Sequence, residues 1–354
     1  MKSICKSIIY IAAGLMVTCC AKIVNEGANE AEKRFFDSWI HVNHADLKAT
    51  WKGEVKANGN GIYVIEDETT EGTGAVVTDN GYAIVEYVIR DLDGNITDYT
   101  DAGTARQLGT YAPSTYYGPE VWLTMDGTIQ AGLQDAIVGM KVGGKKKVII
   151  PSWLMTFSTY KSVDEYLKHS SDYSSSVYEF TVKDFTDSID VWQADSIERY
   201  IAKLGELAEF KDSAGFYYKV RPQPENAEKF PSDTSIYINY TGRLLNGLVF
   251  DTSSERIAKD NNIYNSAKTY EPVKITWGEE VTDITMGDDA SSVISGFAMT
   301  LWRMRYDPKD ASWKDKGVGI FTSAYGYSYS GNGASIPGYA PLIFEIEIVD
   351  APKK

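Results

Sequence analysis

Three stretches in the C-terminal part of the chain hold the residue types best suited to chemistry. They are "YTGRLLNGLVFDTS" (240–253), "VISGF" (293–297) and "SAYGYSYSGNGASIPGYAPLIF" (323–344). The alternation in "IYINYTG" puts Tyr240 on the same strand face as Ile236 and Ile238. Asn246-Gly247 is a turn signal, and beyond it Phe250 is followed at once by Asp251. In the second stretch Val293 and Ile294 precede a glycine that opens a helix, with Phe297 in its first turn. The third is a glycine-rich loop holding Tyr325 and Ile336, leading into a strand with Phe344. Together they set aromatic and aliphatic side chains around one carboxylate and one phenol. Such a set can pack an apolar group and orient its polar edge. It contains no Ser-His-Asp arrangement, phosphate-cradling loop or carboxylate pair. An aromatic on an alternating strand is ordinarily core. The joint occurrence of Phe250-Asp251, Ile294-x-Gly296-Phe297 and Ala324-Tyr325-Gly326 is what marks a site. A carboxylate next to Phe250 needs a hydrogen-bond or ion-pair partner, because burying it alone is costly.

The elements that would position these residues occur twice. Phe35, Phe36, Trp39 and Ile40 share one helical face. A longer pattern through 190–211 repeats this with Trp192, Ile197, Tyr200, Ile201, Leu204, Leu207 and Phe210. Each pattern is followed by a glycine, Gly61 or Gly215, and then by alternating strand residues in which Tyr87 answers to Tyr240, an offset of about 153 residues. "TIQAGLQDAIVGMKVGGKKKVIIPS" around Gly132 answers to "SVISGFAMTLWRM" around Gly296, and "SSVYEFTVKDF" to "APLIFEIEIVD". Short strands and turns dominate each copy. The expected class is α+β: two units, each a twisted antiparallel sheet wrapped around a short helix and preceded by a helix. The corresponding division is a signal segment 1–20, a tether and helix 21–57, a first domain 58–188, a linker helix 189–212 and a second domain 213–354.

With "YTGRLLNGLVFDTS", "VISGF", "SAYGYS" and "SIPGYAPLIFEIEI" in this order, residues 213–351 resemble the FKBP family of peptidyl-prolyl cis-trans isomerases. The resemblance implies a shallow hydrophobic pocket for a proline ring. Tyr240, Phe250, Val293, Ile294, Phe297 and Phe344 would form its wall and floor, and Ile336 its cap. Asp251 would be the polar group at the edge, and Tyr325 would donate its hydroxyl to a substrate carbonyl. The implied catalytic set is thus Tyr240, Phe250, Asp251 and Tyr325, with Val293, Ile294, Phe297, Ile336 and Phe344 binding substrate. Phe297 stands where many members have Trp, and Val273 where an aromatic is common. The stretch "GMxxGxK" is replaced by "RMRYDPKDASWKDKGVG", and "SERIAKDNNIYNSAKTYEP" is an insertion. The first copy keeps Tyr87 and Asp98 but has Thr97, Gln130 and Leu133 at the other positions and no Tyr-Gly pair, so it is expected to be inactive. "DLDGNITD", with Asp91, Asp93 and Asn95, is expected to be a hairpin turn.

Composition bounds the rest. A formal charge of −14 argues against a partner bound through its phosphate backbone, so nucleic acid is not expected. Lys2, Lys6 and the apolar run Ile8–Val17 read as a targeting segment too short to span a bilayer. "LMVTCCAK" resembles a bacterial lipoprotein signal, with Cys20, or alternatively Cys19, as the lipidated residue; a plain secretory signal is the other reading. The expected location is therefore extracytoplasmic, membrane-anchored through lipid. With Cys5, Cys19 and Cys20 the only cysteines, the folded part has no thiol for a disulfide, nucleophile or metal site. His41, His44 and His169 lack zinc-like partners. No metal or cofactor is expected. The expected activity is isomerisation of Xaa-Pro bonds in extracytoplasmic polypeptide clients, assisting folding. The alternative is a non-catalytic binding or chaperone lipoprotein of the same fold.

Overall fold

The computed structural model describes residues 28–352 apart from 57–59, 69–71, 158–159, 161, 169–172 and 207–208. The targeting segment, Cys19, Cys20 and His169 lie outside the described residues. The first unit runs α1 (Ala28–Asn43), β1 (Ala49–Trp51), β2 (Glu54–Val55), β3 (Ile62–Asp67), β4 (Tyr82–Arg90), β5 (Ile96–Tyr99), α2 (Ala102–Leu108), β6 (Glu120–Leu123), α3 (Ala131–Ile137), β7 (Lys145–Ile150), α4 (Val163–Leu167) and β8 (Ser176–Thr186). Helix α5 (Ile189–Lys203) leads to the second: β9 (Lys211–Ser213), β10 (Phe216–Val220), β11 (Ser235–Leu244), β12 (Val249–Thr252), α6 (Glu255–Asp260), β13 (Val273–Thr276), β14 (Thr285–Met286), β15 (Ser291–Ser292), α7 (Ser295–Trp302), β16 (Lys316–Phe321) and β17 (Leu342–Val349).

The fold is α+β, and the two sheets share a topology. The order β3-β7-β8-β4 in the first recurs as β10-β16-β17-β11 in the second. Two short strands flank the long one in each: β5 and β6 on β4, β12 and β13 on β11. The equivalence extends to register, since Val85 faces Glu120 across β4/β6 as Ile238 faces Val273 across β11/β13.

Alternation explains which faces are buried. Ala83, Val85 and Tyr87 of β4, and Ile236, Ile238 and Tyr240 of β11, point into their cores. Helix α3 contributes Leu133, Ala136 and Ile137, and α7 contributes Phe297, Ala298 and Leu301. Both helices lie almost on the sheet at their repeated glycine. A Cβ on Gly132 would sit 2.4 Å from Ile150 Cγ2, and one on Gly296 2.4 Å from the Phe321 ring. Any side chain there would lift the helix off the sheet.

Helix α5 covers the outer face of the second sheet. Its Ile197 and Ile201 pack with Tyr217, Ile320 and Ile343. It is shorter than the 189–212 helix expected from the apolar pattern. It stops at Lys203, where Gly205 turns left-handed (φ +73°) and its N–H closes on Ala202 O at 3.0 Å. Phe210 still packs against the same cluster, from outside the helix. Two further corrections concern strands. β1 and β2 fall within the segment read as tether and helix, and β9 within the segment read as linker helix. No helix among the described residues is long and apolar enough to cross a membrane.

Candidate functional site

In the second unit, alternation on β11 turns Tyr240 inward, and β17 brings Phe344 beside it. Helix α7 supplies Phe297 in its first turn, and β12 supplies Phe250. The rings meet edge to face. Centroids lie 5.7 Å apart for Tyr240–Phe297, 5.1 Å for Phe297–Phe344 and 5.6 Å for Phe250–Phe344, with interplanar angles of 85°, 82° and 74°. Tyr240, Phe297, Phe344 and Ile336 are buried, while Phe250, Val293 and Ile294 are half-buried against them. The sequence-predicted residues other than Tyr325 thus come together around one aromatic cluster.

Gly242 makes the cluster possible. It lies opposite Phe344 in the register, and a Cβ there would stand 2.5 Å from the Phe250 ring and 3.0 Å from Phe344. Sequence reading passed over this residue. The signal was present in "YTG", a glycine inside an otherwise alternating strand.

Asp251 has the partners its position demands. Tyr240 donates its hydroxyl to Oδ2 at 2.6 Å, the Thr252 backbone N–H donates to Oδ1 at 2.9 Å, and Lys268 pairs with Oδ1. Lys268 comes from the insertion between β12 and β13, so that insertion reaches the edge of the site. The pair is partly exposed, with the Asp251 side chain at 41%, and contributes about 0–1 kcal/mol to stability. Burial, followed by the Asp251 charge and hydrogen bond, pushes the Tyr240 phenol well above its ordinary range. It therefore stays protonated and remains a donor at neutral pH.

Tyr325 is placed differently from the expectation. Its ring packs edge-on against Phe216 (6.5 Å, 73°) and its hydroxyl donates to the Ala214 carbonyl at 3.1 Å. That hydroxyl is already committed within the protein. Tyr327, two residues on, is half-buried against the same core cluster. Tyr329 is 71% exposed. Three alternate tyrosines follow one another in "AYGYSY", and only the Ala-Tyr-Gly setting of Tyr325 singles one out.

The matching place in the first unit has a different character. The Tyr87 hydroxyl lies 3.0 Å from a Glu120 oxygen and 3.4 Å from an Asp98 oxygen. Glu120 occupies the position taken by Val273 in the second unit, and burial raises its carboxyl above the usual range. Thr97 is exposed, Leu133 belongs to the core, and Gln130 starts α3 without a side-chain cap bond. Asp98 answers to Asp251, but Glu120 adds a second carboxylate where the other unit has the apolar Val273. "DLDGNITD" forms the β4–β5 turn, with Asp91 accepting from the Asn95 backbone and side chain at 2.8 and 2.9 Å. His44 packs against Trp39, and His41 is exposed.

No family model matches the chain. Among curated proteins it is similar to a short-type peptidyl-prolyl cis-trans isomerase of Methanocaldococcus jannaschii, 31% identical over 70 residues, which is 20% of this chain and 44% of the relative. The chain thus spans less than half the length of that relative. The match supports the FKBP-type peptidyl-prolyl isomerase family that the motifs resemble. Solved structures with similarity include three FKBP domains of wheat FKBP73 (16% identity, 83% of this chain and 96% of that one, TM-score 0.27). FkpA from Escherichia coli aligns at 20% identity over 46% and 62%, TM-score 0.29. A peptidyl-prolyl cis-trans isomerase from Pseudomonas syringae pv. tomato aligns at 20% over 48% and 99%, TM-score 0.29. Superpositions this loose carry no argument about the site.

Proposed function

We propose that the chain is a peptidyl-prolyl cis-trans isomerase whose second unit carries the active site and whose first unit is not catalytic. The observation that carries this reading is the edge-to-face cluster of Tyr240, Phe250, Phe297 and Phe344, with Ile336 in the same core and Asp251 fixed at its edge. Rotation about a peptide bond faces a barrier of about 18–20 kcal/mol, and the uncatalysed prolyl step takes about 10–100 s. No bond breaks, so the reaction needs no nucleophile, metal or cofactor. A dry surface that holds the twisted imide better than either planar isomer lowers the barrier.

The roles divide accordingly. Phe297 and Phe344 floor the site, Phe250, Val293 and Ile294 wall a proline ring, and Ile336 caps it. Leaving water weakens the double-bond character of the C–N bond. Asp251, held by Tyr240 and Lys268, sets the polar edge. The hydrogen bond to a substrate carbonyl passes from Tyr325, whose hydroxyl is spent on Ala214, to Tyr327. The clients are proline-containing polypeptides outside the cytoplasm, reached from a membrane anchor at Cys20 or Cys19.

A second reading, a non-catalytic client-binding module, is favoured by Glu120 against Tyr87, which puts a carboxylate where the second unit has the apolar wall residue Val273. The deciding experiment follows cis-trans exchange of an Xaa-Pro peptide with and without the chain, at concentrations where the peptide binds. Acceleration that is lost in Phe250→Ala supports the isomerase. Binding without acceleration by the unaltered protein would leave the module reading in its place.

A further inference from the structure

The loop between β16 and β17 carries both Tyr327 and Ile336, and besides its contacts with its own core it is held from outside its own sheet. At its start, Gln193 of α5, fully buried, donates to Ser323 Oγ at 3.0 Å and accepts from the Ser323 backbone N–H at 2.6 Å. In its middle, the Tyr116 backbone N–H of the first unit donates to the Ala334 carbonyl at 2.8 Å, and the Tyr116 ring packs against the second unit's core cluster. Near its end, Tyr82 of β4 meets Tyr339 edge to face at 5.5 Å. Tyr339 has φ +61°, a conformation that a bulky side chain adopts only when its surroundings impose it. Its N–H donates to Ser328 O at 2.8 Å, which ties the loop across itself.

The joint between the units is not filled. A cleft of about 180 Å³ remains among Ile84, Tyr116, Trp192, Leu244, Pro337 and Tyr339. The loop is therefore fixed on one side by its own hydrogen bonds and the second unit's core cluster, and on the other by a few separable contacts from α5 and the first unit. Two of them, Tyr82 and Tyr116, belong to the unit that lacks a proline pocket of its own.

We propose that the first unit is a positioning device for the second. The rings of Tyr116 and Tyr82, with Gln193 of α5, clamp the 323–341 loop so that Ile336 and Tyr327 are held against the aromatic cluster. Tyr82 and Tyr116 are positioning residues that act through Ile336 and Tyr327. The catalytic half of this proposal rests on the isomerase reading. The structural half does not.

The test uses the full chain with Tyr82→Ala, Tyr116→Ala and both together, and with Tyr116→Phe as the conservative control that keeps the ring. Two readouts are taken. The first is amide hydrogen exchange at Asn332, Ile336 and Tyr339, whose N–H groups make hydrogen bonds within the loop. The second is KM and kcat on an Xaa-Pro peptide. In the double variant, exchange at these amides rises at least about tenfold, while exchange in β11 and β17 is unchanged. KM rises about five- to tenfold with kcat within about twofold, because binding is lost and the bound chemistry is kept. Tyr116→Phe behaves as the unaltered protein. Each single alanine variant shows the same pattern at about threefold, so a double variant that fails to fold still leaves the test standing. Unchanged loop exchange and KM in the folded single variants overturn the clamp. If the unaltered protein shows no isomerase activity, the functional reading falls, and the exchange comparison still decides the clamp.

Discussion

Replacing Phe250 by alanine distinguishes a pocket wall from a core residue, and the structure fixes what each should cost. Phe250 is half-buried on a short strand, with one ring partner, Phe344, and the open side of Gly242 beneath it. Its edge-to-face pair is worth about 0.5–1.5 kcal/mol, and its partial burial adds a similar amount. The expected destabilisation is about 1–3 kcal/mol, at or below the low end of the ~3–5 kcal/mol usual for a fully buried phenylalanine. Phe297, 2% exposed and in contact with Tyr240 and Phe344, should show that larger figure when truncated. At roughly 2–4 °C per kcal/mol, the two variants separate clearly in thermal unfolding. Ligand affinity should rank the other way relative to stability. If a bound proline ring covers about 60 Å² of the Phe250 face, ~25 cal/mol/Å² gives ~1.5 kcal/mol, or about tenfold in affinity. The assay pairs calorimetric unfolding with titration of an Xaa-Pro peptide. A Phe250→Ala protein as destabilised as Phe297→Ala, with peptide affinity unchanged, would refute the placement of Phe250 in the site.

Tyr327→Phe should lower kcat/KM by up to about tenfold, one net hydrogen bond of about 0.5–1.5 kcal/mol, whereas Tyr325→Phe should cost stability of that order and leave turnover alone. The reverse ranking would return the donor role to Tyr325. Burial raises the phenols of Tyr240 and Tyr87, and brings those of Tyr116 and Tyr178 to about 12. The folded state thus keeps protons that the unfolded chain loses near pH 10, so stability is full below about pH 10 and falls as pH rises beyond it. Urea midpoints that hold constant from about pH 9 to 11.5 would contradict this. Replacing Cys19 and Cys20 together by Ser should release the protein from the membrane fraction, and a double variant that still pellets with membranes rules out the lipid anchor.

The repeat was readable because both copies obey the same two periods. Alternation marked β4 and β11, and a small residue at the head of α3 and α7 marked where helix meets sheet. The aromatic members of the site were readable for the same reason, each sitting at a fixed place in a regular element. Three things were hidden. The end of α5 was masked because Phe210 continues the apolar spacing and is used by the same cluster from a non-helical segment. The partner of Asp251 was hidden because Lys268 lies in an insertion whose path no local pattern dictates. The choice among Tyr325, Tyr327 and Tyr329 depends on Phe216 and Ala214, a strand and a turn about a hundred residues earlier, and long-range contacts of that kind leave no periodic trace.

In both sheets the last strand to be made is not an edge. β8 inserts between β7 and β4, and β17 between β16 and β11, so each sheet exists as two unjoined pieces until its final strand arrives. Tyr240 of β11 finds Ile346 of β17 only after about a hundred intervening residues have been laid down, a closure that is entropically slow. During synthesis, N-terminus first, the first unit can complete itself while the second is still open. The surface that receives the 323–341 loop is then ready before the loop exists, and assembly has a direction set by strand order alone.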